Sequence, residues 1–180
     1  MPSYSELRQR LALVQPDARE IGFGRHVIPY LTKLWLDDYD ARASSDITTV
    51  EAGGFYYLFD FAFGRLIAAW GVSVGRHAAD RDAGRMAGHP KAGGDLYHRG
   101  HAIPHRLGGG TDINLVPQLG SINIGRFRPL EKRAVNMPGA LYFTYWTYAT
   151  PTGKTAQMPN GVDQGLLIAG QAPQITTHGN

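Results

Sequence analysis

Between Asp95 and Glu131 the chain collects side chains suited to chemistry rather than to filling a core. The run Asp95-Leu-Tyr-His-Arg-Gly-His-Ala-Ile-Pro-His105 sets Arg99 close to His101. It is followed by the glycines 108–110, by Asn114-Leu-Val-Pro-Gln118, by Ser121-Ile-Asn123 and then by Glu131. Cleaving a phosphodiester requires a nucleophilic water, a base for its proton, and positive charge for the phosphorus centre. Histidine is the side chain whose ordinary pKa suits base work near neutrality, so His101 is the candidate base. Arg99 can hold two phosphate oxygens at once. The Asn123 carboxamide is a hard oxygen donor of the kind accepted by Mg²⁺, an ion that keeps several waters and takes few protein ligands. On one continuous helix Glu131 would stand roughly 80° around the axis from Asn123, close enough to share a hydrated ion.

Periodicity indicates the elements that must position these groups. Ser3-Tyr-Ser-Glu6 has capping-box spacing, and Leu7, Leu11 and Val14 recur at helical intervals, which predicts an amphipathic helix over 4–15. Val27–Leu36 reads as a second short helix or an extended segment, with Pro29 opposing a helical start. Asp37 to Asp40 and Ala43-Ser44-Ser45 read as a loop, making 1–45 an N-terminal helical arm, either packed on the domain or used for a partner. Ile47–Val50, Phe55–Phe61 and Arg65–Val74 predict an antiparallel meander covered on much of both faces. A Gly-, Arg-, His- and Asp-rich loop from Gly75 to Gly94 precedes the chemical stretch. Phe127, Leu130 and Ala134 then share a helical stripe that runs to about residue 135. Leu141–Ala149 is a strand by its aromatic and threonine content, Pro151-Thr-Gly153 a turn, and Lys154–Met158 its returning partner. Residues 171–180 read as a flexible tail. The expected fold class is α+β.

A length of 180 residues fits one domain, and 43% hydrophobic with 11% aromatic residues excludes general disorder. The net charge is only +3, but it is unevenly placed. Residues 76–133 carry ten Lys and Arg against five Asp and Glu, whereas 1–60 carry nine acids against six bases. Five of the seven histidines also fall in 76–133. Such a segment fits an anionic partner on one face, with a merely solvated arginine face as the alternative. The absence of cysteine removes disulfides and thiolate metal sites and leaves the compartment open. The N-terminus lacks the apolar segment of a Sec signal peptide, and the apolar run Phe55–Phe63 is broken by Asp60 and too short to span a bilayer. The expectation is a soluble chain with no membrane partner, cytoplasmic in its producer or exported into target cells by a signal-independent system.

The blocks His98-Arg-Gly-His101, Asn114-Leu-Val-Pro-Gln118 and Asn123-x-Gly-x-Phe-x-x-Leu-Glu131 resemble the DNA/RNA non-specific endonuclease family of the ββα-metal superfamily. That family's signature is Asp-Arg-Gly-His, followed by Asn-x-x-Pro-Gln and by Asn-x-Gly-x-aromatic-x-x-Leu-Glu. The glycine run before Asn114, and Gly64-Arg-Leu further upstream, are similar to nuclease domains at the C-termini of bacterial antagonistic toxins. The resemblance covers roughly residues 55–150 and leaves 1–45 outside it.

What the resemblance implies is a ββα-metal nuclease domain over 46–170, with a central antiparallel sheet flanked by helices. His101 corresponds to the general base, Arg99 to a phosphate contact, and Asn114 to a residue that orients the histidine or the water network. Asn123 corresponds to the direct ligand of Mg²⁺, with Mn²⁺ as a substitute, and Glu131 holds the ion's waters. Gln118 is a supporting position. Water would attack in line and the 3′ oxygen would leave. His105, Arg106, Arg126 and Arg128 are candidate contacts to the DNA or RNA backbone, alongside Arg76, Arg81 and Arg85. The implied role is an antibacterial effector that cuts DNA with little sequence preference, RNA being left open as a further substrate, and that is neutralised in its producer by an immunity protein.

Two positions depart from the family pattern: His98 stands where the signature has Asp, and Pro129 falls inside the expected helix. They leave open a catalytically impaired module that binds nucleic acid or a protein partner, and a third reading makes 1–45 a docking arm. His98, His101 and His105 offer a rival zinc cluster, but their spacing is poor for a strand and Pro104 disfavours a helix.

Overall fold

The aromatic run Leu141–Thr147 forms a strand buried at every residue, and the architecture follows from covering both of its faces. The computed structural model of the chain describes residues 2–40, 46–78, 83–90, 93–149 and 156–180. In chain order its elements are α1 (Leu7–Leu11), α2 (Arg19–Gly22), α3 (Ile28–Asp40), β1 (Ile47–Ala52), β2 (Phe55–Asp60) and β3 (Arg65–Val72). There follow α4 (Ala83–Met86), β4 (Tyr97–His101), β5 (Leu115–Leu119), α5 (Arg128–Val135), β6 (Leu141–Thr147), β7 (Gly161–Leu167) and β8 (Gln174–Gly179). The fold is α+β. Six strands form an antiparallel sheet in the order β1-β2-β3-β6-β7-β8, while β4 and β5 pair as a separate ribbon. No helix among the described residues is long and apolar enough to cross a membrane.

Alternation along a strand sends successive side chains to opposite faces, and β6 uses both. Phe143 and Tyr145 meet Trp35 of α3, at ring centroid distances of 5.3 and 6.0 Å. On the other face Trp146 stacks on Phe127 at 6.0 Å, and Thr144 donates its hydroxyl to the Ala102 carbonyl. The helices of 7–40 therefore lie on one face, and the segment between β3 and β6 covers the other. β1, β2 and β3 form the expected meander, with a register shift between Leu58 and Phe59.

The segment read as an arm is part of the core. Leu7, Leu11, Phe23, Val27, Leu31, Trp35 and Tyr39 are buried in one cluster with the sheet. Asp37 and Asp38, expected in a loop, lie on α3 instead, because the stripe Leu31, Trp35, Tyr39 repeats every four residues and carries the helix past them. Asp37 takes the outer side and pairs with Lys33 at i, i+4, while half-buried Asp38 accepts from the Tyr145 hydroxyl at 2.6 Å. Residues 43–45 lie outside the described residues. Pro29 is tolerated because a π-helical turn, Phe23–Val27, precedes it and the Ile28 N–H already reaches back to the Phe23 carbonyl.

At the C-terminal end the expected flexible tail is corrected: β8 pairs with β7 along its length. Asn180 then donates to the Pro117 carbonyl and accepts from the Leu119 N–H, both at 2.9 Å, which ties the chain end to β5. Residues 154 and 155 of the expected return strand lie outside the described residues, as do 151–153, and the partner of β6 is β7. Its sequence Gly-Val-Asp-Gln-Gly-Leu-Leu hides that role. Gly165 leaves room for the Phe143 ring, which a Cβ would approach to 2.1 Å. Buried Asp163 is satisfied by hydroxyls of Tyr4 and Thr177. Its carboxyl is raised above the usual carboxylate range, chiefly by burial.

If the N-terminal helices are core rather than arm, Trp35→Ala removes the ring between α3 and β6 and costs about 3–5 kcal/mol. Urea denaturation measures this, and a loss below about 1 kcal/mol would detach the helices from the core.

Candidate functional site

The ribbon β4–β5 carries the chemical stretch. Its register pairs His98 with Gln118, Arg99 with Pro117, Gly100 with Val116 and His101 with Leu115. Gly100 is required by contact, because a Cβ there would sit 2.3 Å from Gln118 Oε1 and 2.8 Å from its Cβ. Gln118 is fully buried and has no room to swing away. Its amide finds no hydrogen-bond partner among the described residues, a condition that costs about 1–3 kcal/mol for a buried polar group.

His101, the last residue of β4, is 8% exposed, and its ring centroid lies 6.0 Å from that of His105. His105 in turn faces His77 at 6.4 Å. The loop between these histidines is held by Asn114. Its Oδ1 accepts from the Ile103 N–H at 2.7 Å, and its Nδ2 donates to the carbonyls of Ile103 and Gly110, each at 2.9 Å. The Ala102 N–H also donates to the Asn114 carbonyl. The glycine run serves this clamp, since a Cβ on Gly109 would fall 2.0 Å from the Ile103 carbonyl oxygen. Asn114 thus acts on His101 through the backbone of the residues that follow it.

After β5 the chain enters a second π-helical turn, Ile122–Arg126, closed by the Phe127 N–H on the Ile122 carbonyl at 3.1 Å. α5 begins at Arg128 with Pro129 in its first turn, where the missing N–H costs little. Asn123 therefore precedes α5, and the 80° separation of a continuous helix does not apply across the wider π turn. The Asn123 amide lies 3.4 Å from His98 Nδ1. Glu131 stands on α5 over buried Tyr142, whose phenol is pushed well above its usual range by burial and then by the Glu131 carboxylate. Gln164 donates to both the Tyr142 hydroxyl and the Phe127 carbonyl, fixing the start of α5 on the sheet. α5 also packs against the turn that carries His105.

The fold thus brings Asn123 to His98, His101 to His105, and the helix of Glu131 to the turn of His105. Arg99 is half-buried on β4, while Arg106, Arg126, Arg128 and Arg76 are exposed. Arg81 and the side chain of Arg85 lie outside the described residues. Among the described residues no three His, Asp or Glu side chains are grouped to hold a metal ion. Positioning residues that the sequence does not mark are Thr144, Gln164 and Asn180, which reach the site only through sheet pairing. His178 on β8 lies under Phe127 at 5.4 Å. It titrates below the ordinary imidazole value, first because it is buried and second because of Arg126. Its burial therefore costs stability as the pH falls through the ordinary value of 6.5 towards the folded one.

Comparison with family models gives no match, and comparison with curated proteins gives none either.

Asn114→Ala leaves buried backbone groups of Ile103 unpaired and is expected to cost about 2–4 kcal/mol. Arg106→Ala at the exposed end of the same loop stays within about 0.5 kcal/mol. Equal melting temperatures for these two variants would contradict the clamp.

Proposed function

We propose that the protein is a divalent-metal-dependent endonuclease of ββα-metal type, hydrolysing DNA, and RNA as well, with little sequence preference. The observation that carries this reading is the succession β4, β5, π turn and α5, with Asn123 in contact with the Arg-Gly-His strand at His98. A base, a phosphate-binding guanidinium, a carboxamide and a carboxylate then belong to one ribbon-and-helix unit. The three sequence blocks supply the same residues independently.

The donor set fits a hydrated divalent ion. The Asn123 carboxamide offers oxygen, Glu131 can hold waters, and the unpaired Gln118 amide lies beneath the same strand. Such an ion supplies positive charge at the phosphate. The protein's own residues do the rest. His101 takes the proton of the attacking water, with its ring held by the loop that Asn114 fixes. Arg99 grips non-bridging oxygens, while His105, Arg106, Arg126 and Arg128 hold the flanking backbone. The 3′ oxygen leaves, so the products carry 5′-phosphates. Contacts to phosphate carry no base information, which accounts for low specificity. The similarity to toxin nuclease domains supports a role as an antibacterial effector with a cognate immunity protein.

The test is degradation of plasmid and total RNA by purified protein in Mg²⁺ or Mn²⁺, with EDTA and His101→Ala controls. EDTA should abolish cleavage, and His101→Ala should slow it by about 10²–10⁴. No cleavage by folded protein with any divalent ion, or a full rate in His101→Ala, would overturn the reading.

A further inference from the structure

The contact between Asn123 and His98 has the dimensions of two ligands on one ion. Its 3.4 Å separation is long for an N–H···N hydrogen bond. Donor atoms at 2.0–2.1 Å from a common ion, with 90–109° between them, stand about 2.9–3.4 Å apart. Rotating the Asn123 amide by half a turn puts its oxygen where its nitrogen lies, facing His98 Nδ1. Gly120 leaves space beside the ring: a Cβ there would stand 2.9 Å from His98 Nε2.

A second imidazole borders the same place. The His89 ring lies 6.4 Å from that of His98. Its Nδ1 is 2.9 Å from the Tyr97 carbonyl, which can only accept, so that nitrogen carries a proton and, in the neutral ring, Nε2 holds the lone pair. A backbone carbonyl fixing the tautomer in this way is the usual support for a metal-binding histidine.

We propose that His98 is a direct nitrogen ligand beside Asn123, with His89 as an outer imidazole, so that the site selects a transition ion such as Ni²⁺, Co²⁺ or Zn²⁺ over Mg²⁺. Imidazole nitrogen suits these ions, whereas Mg²⁺ favours oxygen ligands. The proposal rests on the nuclease reading only for what the ion does, not for how it is held.

Isothermal calorimetry of EDTA-stripped, tag-free protein with Ni²⁺ and with Mg²⁺ tests it. The wild type should bind Ni²⁺ more tightly than Mg²⁺, and His98→Ala should weaken Ni²⁺ binding about 10–100-fold while leaving Mg²⁺ unchanged. His98→Asp should shift selectivity towards Mg²⁺, and it decides the question if His98→Ala does not fold. His26→Ala, in the N-terminal helices, should bind as wild type. An unchanged Ni²⁺ to Mg²⁺ ratio in the His98 variants, or an equal loss in His26→Ala, overturns the proposal. Ni²⁺ binding that depends on His98 in a protein that cuts no nucleic acid would sink the nuclease reading and leave this one standing. Cleavage with selectivity indifferent to His98 would do the reverse.

Discussion

Strand β6 must be covered on both faces, and the rest of the molecule depends on that. Seven consecutive buried residues, five of them aromatic or leucine and spread over both faces of the sheet, cannot border water. One face takes the N-terminal helices through Trp35, and the other takes the segment that bears the histidines through Phe127 and Ala102. The segment that carries the chemical stretch is thus seated on β6 through Ala102 and Phe127. A site on a small ribbon would be loose by itself, since two strands alone are marginally stable. Here the π turn packs on β5, and Asn180 pins the edge of β5.

Within that seat, buried amides hold position. Asn114 satisfies backbone groups on both sides of the loop that follows His101, and Gln164 ties the start of α5 to Tyr142. Arg106, Arg126 and Arg128 are exposed at the rim. Cationic side chains packed into buried pairs would lose both mobility and reach. Positive charge at the rim and neutral amides beneath are a division of labour suited to a polyanionic ligand.

Much of the fold was legible because its signals are local. The meander β1 to β3, the helix at Arg128–Val135 and the aromatic strand β6 follow from turn residues and periodicity. β7 was not legible, since two glycines and a buried aspartate make sense only beside Phe143, Tyr4 and Thr177. β8 was missed because a short Thr-rich end needs a partner strand before it orders. α3 ran past its acids because its stripe faces aromatic rings that lie far along the chain. For the site, residue types and spacing pointed to His101, Asn123 and Glu131, and the family resemblance added Asn114, but neither shows what each one touches. The contact of His98 with Asn123 joins residues from β4 and the π turn and is visible only once the ribbon is folded. Pro129 fits because α5 starts only at Arg128, after the π turn that carries Asn123, so the proline falls in a first turn.

The central claim is that this ribbon-and-helix unit directs water to phosphorus and expels the 3′ oxygen. Its most direct measurement is the chemistry of the fragment ends after incubation of DNA with the purified protein and a divalent ion. The account predicts 5′-phosphate and 3′-hydroxyl termini, read by end-labelling with and without prior phosphatase treatment. Intact DNA from a folded, metal-loaded protein, or fragments bearing 3′-phosphates, would contradict it.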